Sequence, residues 1–295
     1  MSFRSGFAAV VGRPNVGKSS LVNALVGEKV SITSRVAQTT RSAIRGVLDL
    51  PEAQVIFIDT PGYHKPRTLL GERLNEVVRA AWSGVDVALF VVDAQAGVGR
   101  GDERIAGELQ TLGCPILCVV NKVDAAQRAE IVTALQATSQ LGDFQEFVPV
   151  SAKTGKGTDL LQELVVGCMP EGPQYYPPGT RTDQPPPLFV AELVREKILA
   201  RTREEVPHSI AVMTDDFEER ADGVLEIKAR ILVERESQKG IVIGKNASVL
   251  KAVGMEARRE IEALFGTHVF LDLRVKVEKD WQRRPHALDR LGFGA

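Results

Sequence analysis

The sequence predicts two successive domains: a doubly wound α/β domain with a mostly parallel sheet, then a smaller α+β domain. Three observations carry that prediction. Over the first half, short apolar runs alternate with segments of helical spacing. Between the first such strand and the first such helix stands Gly12-Arg13-Pro14-Asn15-Val16-Gly17-Lys18-Ser19, which satisfies G-x-x-x-x-G-K-[ST] at every fixed position. Seven of the 15 prolines then fall between Met169 and Leu188, where a stiff linker is expected.

Bulk properties set the frame. A chain of 295 residues, 44% hydrophobic and 25% charged, can build two ordinary cores. A net charge of −1 excludes a polycation, so any basic surface has to be local. Cys114, Cys118 and Cys168 are odd in number and lack metal-ligand spacing, which predicts reduced thiols. Met1–Gly6 shows no signal-peptide core and no apolar run approaches the ~20 residues of a membrane span, so a cytoplasmic location is expected.

Phe7–Val11 reads as a buried strand and Ser20–Val26 as a helix stopped by Gly27. The loop between them can aim N–H groups at an anion, helped by the helix N-terminus. Gly12, Arg13, Pro14, Asn15, Val16, Gly17, Lys18, Ser19 and Ser20 are therefore candidate phosphate-binding residues, with Lys18 reaching the β- and γ-phosphates and Ser19 ligating Mg²⁺. Glu28–Arg45 has no strand or helix period, as expected of a nucleotide-dependent loop. Within its Gln38-Thr39-Thr40-Arg41, Thr40 is the first choice as a Mg²⁺ and γ-phosphate contact and Thr39 the second.

Ala43–Leu50, Pro51-Glu52 and Ala53–Ile58 read as strand, turn, strand. They deliver Asp59-Thr60-Pro61-Gly62, where Asp59 suits a metal contact and the Gly62 N–H can face the γ-phosphate. Tyr63 stands where Ras-like enzymes carry a water-positioning glutamine, predicting slow hydrolysis or a water ordered by something else. Loop and helix over His64–Ala81, strand Val85–Val92, helix Asp102–Thr111 and strand Pro115–Val120 lead to Asn121-Lys122-Val123-Asp124. Asp124 can accept from guanine N1–H and the N2 amine, which adenine lacks; Asn121 can brace the loop and meet N7, and Lys122 can cover the base. Helix Ala125–Ser139 and strand Phe147–Val150 precede Ser151-Ala152-Lys153, whose Ala152 N–H can meet guanine O6, and helix Thr158–Cys168 closes the domain. A nucleotide site at the strand ends, selective for GTP and GDP over ATP, follows.

Beyond the prolines, helix Leu188–Arg203, strands Ser209–Met213 and Val224–Val233, a glycine loop, helix Met255–Phe265 and strand His268–Val277 follow in turn. That order resembles a bacterial-type (type II) KH domain, in which a G-x-x-G loop grips single-stranded nucleic acid. Here the loop is Gly244-Lys245-Asn246-Ala247, with alanine for the second glycine. Lys239, Gly240, Ile243, Gly244, Lys245, Asn246, Ala247 and Lys251 are the candidate RNA contacts, and Arg258 and Arg259 add to a locally basic region.

The set G-R-P-N-V-G-K-S, S-I-T-S-R-V-A-Q-T-T-R, D-T-P-G, N-K-V-D and S-A-K, followed by L-V-E-R-E-S-Q-K-G-I-V-I-G-K, resembles the Era family of bacterial GTPases in the TrmE–Era group. The likeness runs to the closing Ala287–Phe293. It implies a GTPase domain over 1–169, a linker over 170–187, a KH domain over 188–280 and a C-terminal tail over 281–295. It also implies binding to the 3′ end of 16S rRNA, a role in maturation of the small ribosomal subunit, and peripheral contact with the inner face of the cell membrane. A monomer is expected. Lys18, Thr40, Gly62 and Asn15 form the expected catalytic group, Asn15 matching an asparagine that helps hold a potassium ion in related enzymes. A tRNA-modifying member of the group is disfavoured, since no folate-binding domain and no C-terminal cysteine motif is present.

Overall fold

The computed structural model describes residues 2–36, 39–63, 66 and 68–293. It divides into two compact units: Met1–Thr33, Thr40–Pro66 and Leu74–Asp183 form the first, and Ser34–Thr39, Arg67–Arg73 and Gln184–Ala295 the second.

The first unit runs β1 (Arg4–Val11), α1 (Lys18–Val26), β2 (Ile44–Leu50), β3 (Ala53–Asp59), α2 (Leu69–Trp82), β4 (Val87–Asp93), α3 (Arg100–Leu109), β5 (Ile116–Asn121), α4 (Arg128–Ser139), β6 (Glu146–Pro149) and α5 (Thr158–Cys168), α2 beginning within the second unit. The strand order is β2-β3-β1-β4-β5-β6, parallel throughout except for the β2–β3 hairpin. The period-2 alternation of β1 explains how both faces are covered. Ala8 and Val10 join Leu21 and Leu25 of α1 and Leu161 and Val165 of α5 on one face. Ala9 and Val11 join Val78, Ile105 and Ala134 of α2, α3 and α4 on the other. The register sets Val10 beside Asp59 and Asp93 beside Asn121, so the carboxyl ends of these strands form one rim.

The proline-rich segment departs from a plain linker, because residues 170–183 are counted with the first unit. Prolines have no N–H, so the segment offers carbonyls to donors near the sheet edge. Ser5 donates its backbone N–H to the Pro170 carbonyl (3.0 Å) and its hydroxyl to that of Pro173 (2.6 Å). Along the outer strand, the Val47 N–H reaches the Arg181 carbonyl at 2.8 Å, and Arg45 pairs with Asp183 at 2.8 Å. The strap covers part of a strand edge that would otherwise present unpaired groups.

The second unit carries α6 (Pro186–Leu199), α7 (Val206–Ser209), β7 (Ala211–Glu219), β8 (Leu225–Val233), α8 (Glu236–Ile243), α9 (Ser248–Phe265), β9 (Val269–Val277) and α10 (Pro285–Arg290). Its sheet is β7-β8-β9, with β8–β9 parallel and β7–β8 antiparallel. α6 starts inside the proline run because the first helical turn does not need the missing N–H groups. α9 starts at Ser248 rather than Met255, directly after the glycine loop. The closing stretch is not a loose tail: Trp281 is fully buried, its indole N–H donates to the Ser209 carbonyl (2.9 Å), and Leu288 of α10 is buried. Among the described residues no helix is long and apolar enough to cross a membrane.

Candidate functional site

β1 feeds the Gly12–Ser19 loop, and the backbone turns through Asn15 (φ 66°) and Gly17 (φ 96°) into α1. Both left-handed positions curl the loop inward. Glycine is required at 12 and 17: an added Cβ at Gly12 would stand 2.3 Å from the Val91 carbonyl oxygen, and one at Gly17 2.4 Å from Asn121 Nδ2. Lys18 is buried, and its ammonium donates to the carbonyls of Gly12 (3.1 Å) and Arg13 (3.0 Å). Burial pushes its pKa down to about 8, with the Asp59 charge opposing.

Three oxygens from separate segments converge below this loop. Ser19 Oγ lies 2.8 Å from Thr40 Oγ1, and Thr40 donates to Asp59 Oδ2 at 3.2 Å. Asp59 is fully buried at the end of β3, and burial raises its pKa while Ser19, Lys18, Ser31 and Thr40 act the other way. Its Oδ1 is buried without a hydrogen bond among the described residues. Two hydroxyls and a carboxylate with an unsatisfied oxygen suit a small hard cation such as Mg²⁺. Thr39 instead donates back to the Val36 carbonyl (2.7 Å), which leaves Thr40 as the converging threonine. Gln38 lies outside the described residues, as do His64, Lys65 and Arg67 of the Asp59–Leu70 loop.

Gly62 lies against Pro14, where an added Cβ would meet its Cα and Cγ at 2.8 Å, so the D-x-x-G segment and the phosphate loop touch. The Thr60 hydroxyl donates to the Val10 carbonyl (2.8 Å), making it a pin between β3 and β1 rather than a side chain facing phosphate. Tyr63 turns away as well. Its ring is buried beside Trp82 (centroids 5.5 Å apart), its hydroxyl donates to Glu108 (2.9 Å), and Arg79 and Arg104 donate to it (3.0 and 3.1 Å).

At the far end of the rim, Asn121 braces the two loops. Its Nδ2 donates to the Val16 carbonyl (2.9 Å), and its Oδ1 accepts from the N–H groups of Lys122 (2.8 Å) and Ala152 (3.1 Å). One of the two Nδ2 hydrogens is used in this way, and an Asn121 contact with guanine N7 would draw on the second. The Ala152 N–H is directed at Asn121 here, and has to be shared or shifted to serve guanine O6. Lys122 sends its ammonium to the Asn15 carbonyl and to Asp93, both at 2.6 Å, leaving its stem along the rim. Asp124 is exposed, one of its oxygens accepting from Ser151 Oγ (2.6 Å), and Lys153 is exposed as well.

In the second unit, α8 ends at Gly244 (φ 72°), and Asn246 and Ala247 (φ 53° and 59°) turn the chain into α9. Lys245, Asn246 and Lys251 are exposed, Gly240 lies on the exposed side of α8, and Lys239 and Ile243 are partly buried. Arg258 is weakly paired, 3.9 Å from Glu262.

With that geometry in place, two family models match: one described as 50S ribosome-binding GTPase over residues 7–122, and one described as KH domain over 205–282. GTPase Era of Heliobacterium modesticaldum is 49% identical over 290 residues, 98% of this chain and 97% of its own. A variant of Aquifex aeolicus Era bound to GDP and AlF4⁻ superimposes with a TM-score of 0.96 at 40% identity, covering 99% of this chain and all of that one. Era in complex with MgGDPNP and nucleotides 1506–1542 of 16S ribosomal RNA gives 0.95 at 40% identity, with 99% and 100% covered. The chain belongs to the Era family. It is a GTPase with a P-loop domain and a C-terminal KH domain.

Within the Era-family frame, Arg13 joins Thr60 as a motif side chain that lies elsewhere than expected. Arg13 does not point into the phosphate cradle: its guanidinium donates to the Gly97 carbonyl (2.8 Å), and its Nε lies 2.7 Å from Asp102. Asp93, Asp102 and Glu108 were not singled out by sequence reasoning. Their only signal is position, Asp93 closing β4 and Asp102 early in α3.

Proposed function

We propose that this Era-family GTPase is a nucleotide-controlled switch that binds the 3′ end of 16S rRNA and assists maturation of the small ribosomal subunit. It works as a cytoplasmic monomer with peripheral contact to the inner face of the cell membrane. The observation that carries the switch is the meeting of Ser19, Thr40 and Asp59. Thr40 sits on the long polar loop, so whatever the three oxygens hold fixes where that loop lies.

Lys18, Ser19 and the backbone of Gly12–Ser20 hold the phosphates, with Gly62 presenting its N–H to the γ-phosphate. Ser19, Thr40 and Asp59 would hold magnesium, which would supply charge neutralisation on the phosphate oxygens. Asn15 is the residue that would hold a potassium ion. Asp124 reads the guanine edge, with Ala152 beside it and the Lys122 stem over the base. An adenine would leave the Asp124 carboxylate without its two donors. Water attacks the γ-phosphorus in line, and Lys18 stabilises charge moving to the leaving GDP.

In the KH domain, the exposed Lys245 and Lys251 beside the Gly244–Ala247 turn suit an RNA backbone. The solved Era complex with 16S ribosomal RNA supports that choice of ligand. The test is binding of a 16S 3′-end oligonucleotide with GDP and with a non-hydrolysable GTP analogue. A switch requires affinities that differ by about 5-fold or more. Equal affinities would sink the switch and leave the GTPase standing.

A further inference from the structure

We propose that Arg13 and Asp102 are positioning residues for GTP hydrolysis, the ion pair between the half-buried Arg13 and the buried Asp102 holding the Arg13–Asn15 arm of the phosphate loop in its working geometry. Asp102 is wholly buried in the first turn of α3. Its Oδ2 accepts the Gly99 N–H (2.9 Å) and lies 2.7 Å from Arg13 Nε, while Arg13 also donates to the Gly97 carbonyl at 2.8 Å. Gly101 makes room: an added Cβ there would stand 2.7 Å from Arg13 Cδ.

The same arm meets the chemistry on its other side. The Arg13 carbonyl accepts from Lys18, and Pro14 lies against Gly62. The Asn15 carbonyl accepts from Lys122, which is paired with Asp93. Asp93 and Asp102 are the two ends of the β4–α3 connection, so one segment holds the arm at Arg13 directly and at Asn15 through Lys122. An isolated ion pair of this kind is a poor source of stability, since desolvation offsets the attraction, and Asp102 Oδ1 is buried without a hydrogen bond among the described residues. What it does supply is a fixed direction for the arm.

Nucleotide affinity draws on the whole cradle and on the base loop. The transition state depends more narrowly on where the arm and Lys18 meet charge developing at the β–γ bridge. A misplacement of about 1 Å at such a point can cost about 100-fold in rate. A loosened arm therefore lowers kcat more than it weakens GDP binding.

The test is single-turnover GTP hydrolysis and GDP titration on Arg13→Lys, Arg13→Gln, Asp102→Asn and the Arg13→Gln/Asp102→Asn double variant. Arg13→Gln and Asp102→Asn should each lose about 10-fold or more in rate, with KM and GDP affinity moving less than about 3-fold. The double variant should be no slower than the worse single, because both break one pair. Arg13→Lys should fall between the parent and Arg13→Gln. Rates within about 2-fold of the parent, a loss of GDP affinity that matches the loss of rate, or single effects that add would each overturn the proposal. If Asp102→Asn does not fold, Arg13→Lys and Arg13→Gln still decide it through the split between rate and affinity.

Discussion

Two loops turn the chain into a helix through left-handed residues, and their surroundings are opposite. Before α1 the turning residues are Asn15 and Gly17; before α9 they are Gly244, Asn246 and Ala247. Both place a helix N-terminus where an anion can sit. The first loop is braced at three points: Asn121 and Lys122, at the end of β5, hold the Val16 and Asn15 carbonyls, and Arg13 reaches to Gly97 and to Asp102 of α3. The second is held by backbone bonds, Gly244 N–H to the Gly240 carbonyl (2.8 Å) and Ala247 N–H to the Gly244 carbonyl (3.1 Å). The contrast separates two uses of one device. A braced cradle suits a reaction that needs fixed geometry, and an exposed turn suits an RNA backbone that varies in shape.

The hardest way to break the comparison is Gly17→Ala. It adds a left-handed penalty of roughly 1–2 kcal/mol and displaces the Asn121 amide, a lost buried bond of about 1–3 kcal/mol. GDP affinity should fall by about 100-fold, read by titration with a fluorescent GDP. A drop below about 5-fold would show that the cradle relaxes and is not rigidly braced.

The matching change in the other loop is Gly244→Ala. An added Cβ would meet Val249 Cγ2 at 2.6 Å and its backbone N at 3.0 Å, at φ 72°. Chemical denaturation should show a loss of roughly 1–2 kcal/mol, and affinity for the 3′-end oligonucleotide should fall with it. GDP affinity should stay within about 2-fold; a larger change would tie the second turn to nucleotide binding.

What could be read from sequence follows the same divide between local and distant causes. The five nucleotide motifs were legible because each is a short spacing fixed by one turn at one strand end. Ser19, Thr40 and Asp59 were expected as metal contacts, and the fold brings them together. The brace was not legible, since Arg13 and Asp102 belong to elements separated by three strands and two helices, and no spacing rule links them. Asn121 was expected to brace the loop, but its partners Val16 and Ala152 escaped for a related reason: a motif names the residues, while the three-dimensional turn decides which donor meets which acceptor. Seven prolines suggested a linker, yet the carbonyls of Pro170 and Pro173 tie the segment to Ser5 of β1, and Arg181 and Asp183 tie it to the edge strand β2. The burial of Trp281 depends on the Ser209 carbonyl, far away in sequence.

Charge sharpens the comparison at smaller amplitude. Lys245→Gln and Lys251→Gln should weaken RNA binding across sequences, and each lysine that contacts a phosphate should lower the slope of log affinity against log salt by about 0.7. GTP hydrolysis without RNA should not change. An unchanged salt slope would remove these two lysines from the interface.

The smallest effect tests the alanine in the second turn. Ala247 holds φ 59° and ψ 26°, a conformation that disfavours a Cβ by roughly 1–2 kcal/mol. Ala247→Gly removes that strain but gives the unfolded chain more freedom, which takes back about 0.4–1 kcal/mol. The balance should favour the variant by about 0.5 kcal/mol, seen as a slightly higher denaturation midpoint with an unchanged slope. The RNA measurement then separates two readings. If the turn works by adapting, glycine should hold or improve affinity at equal salt. If affinity falls while stability rises, Ala247 contributes a fixed shape or a methyl contact, and the second loop is more like the first than its few braces suggest.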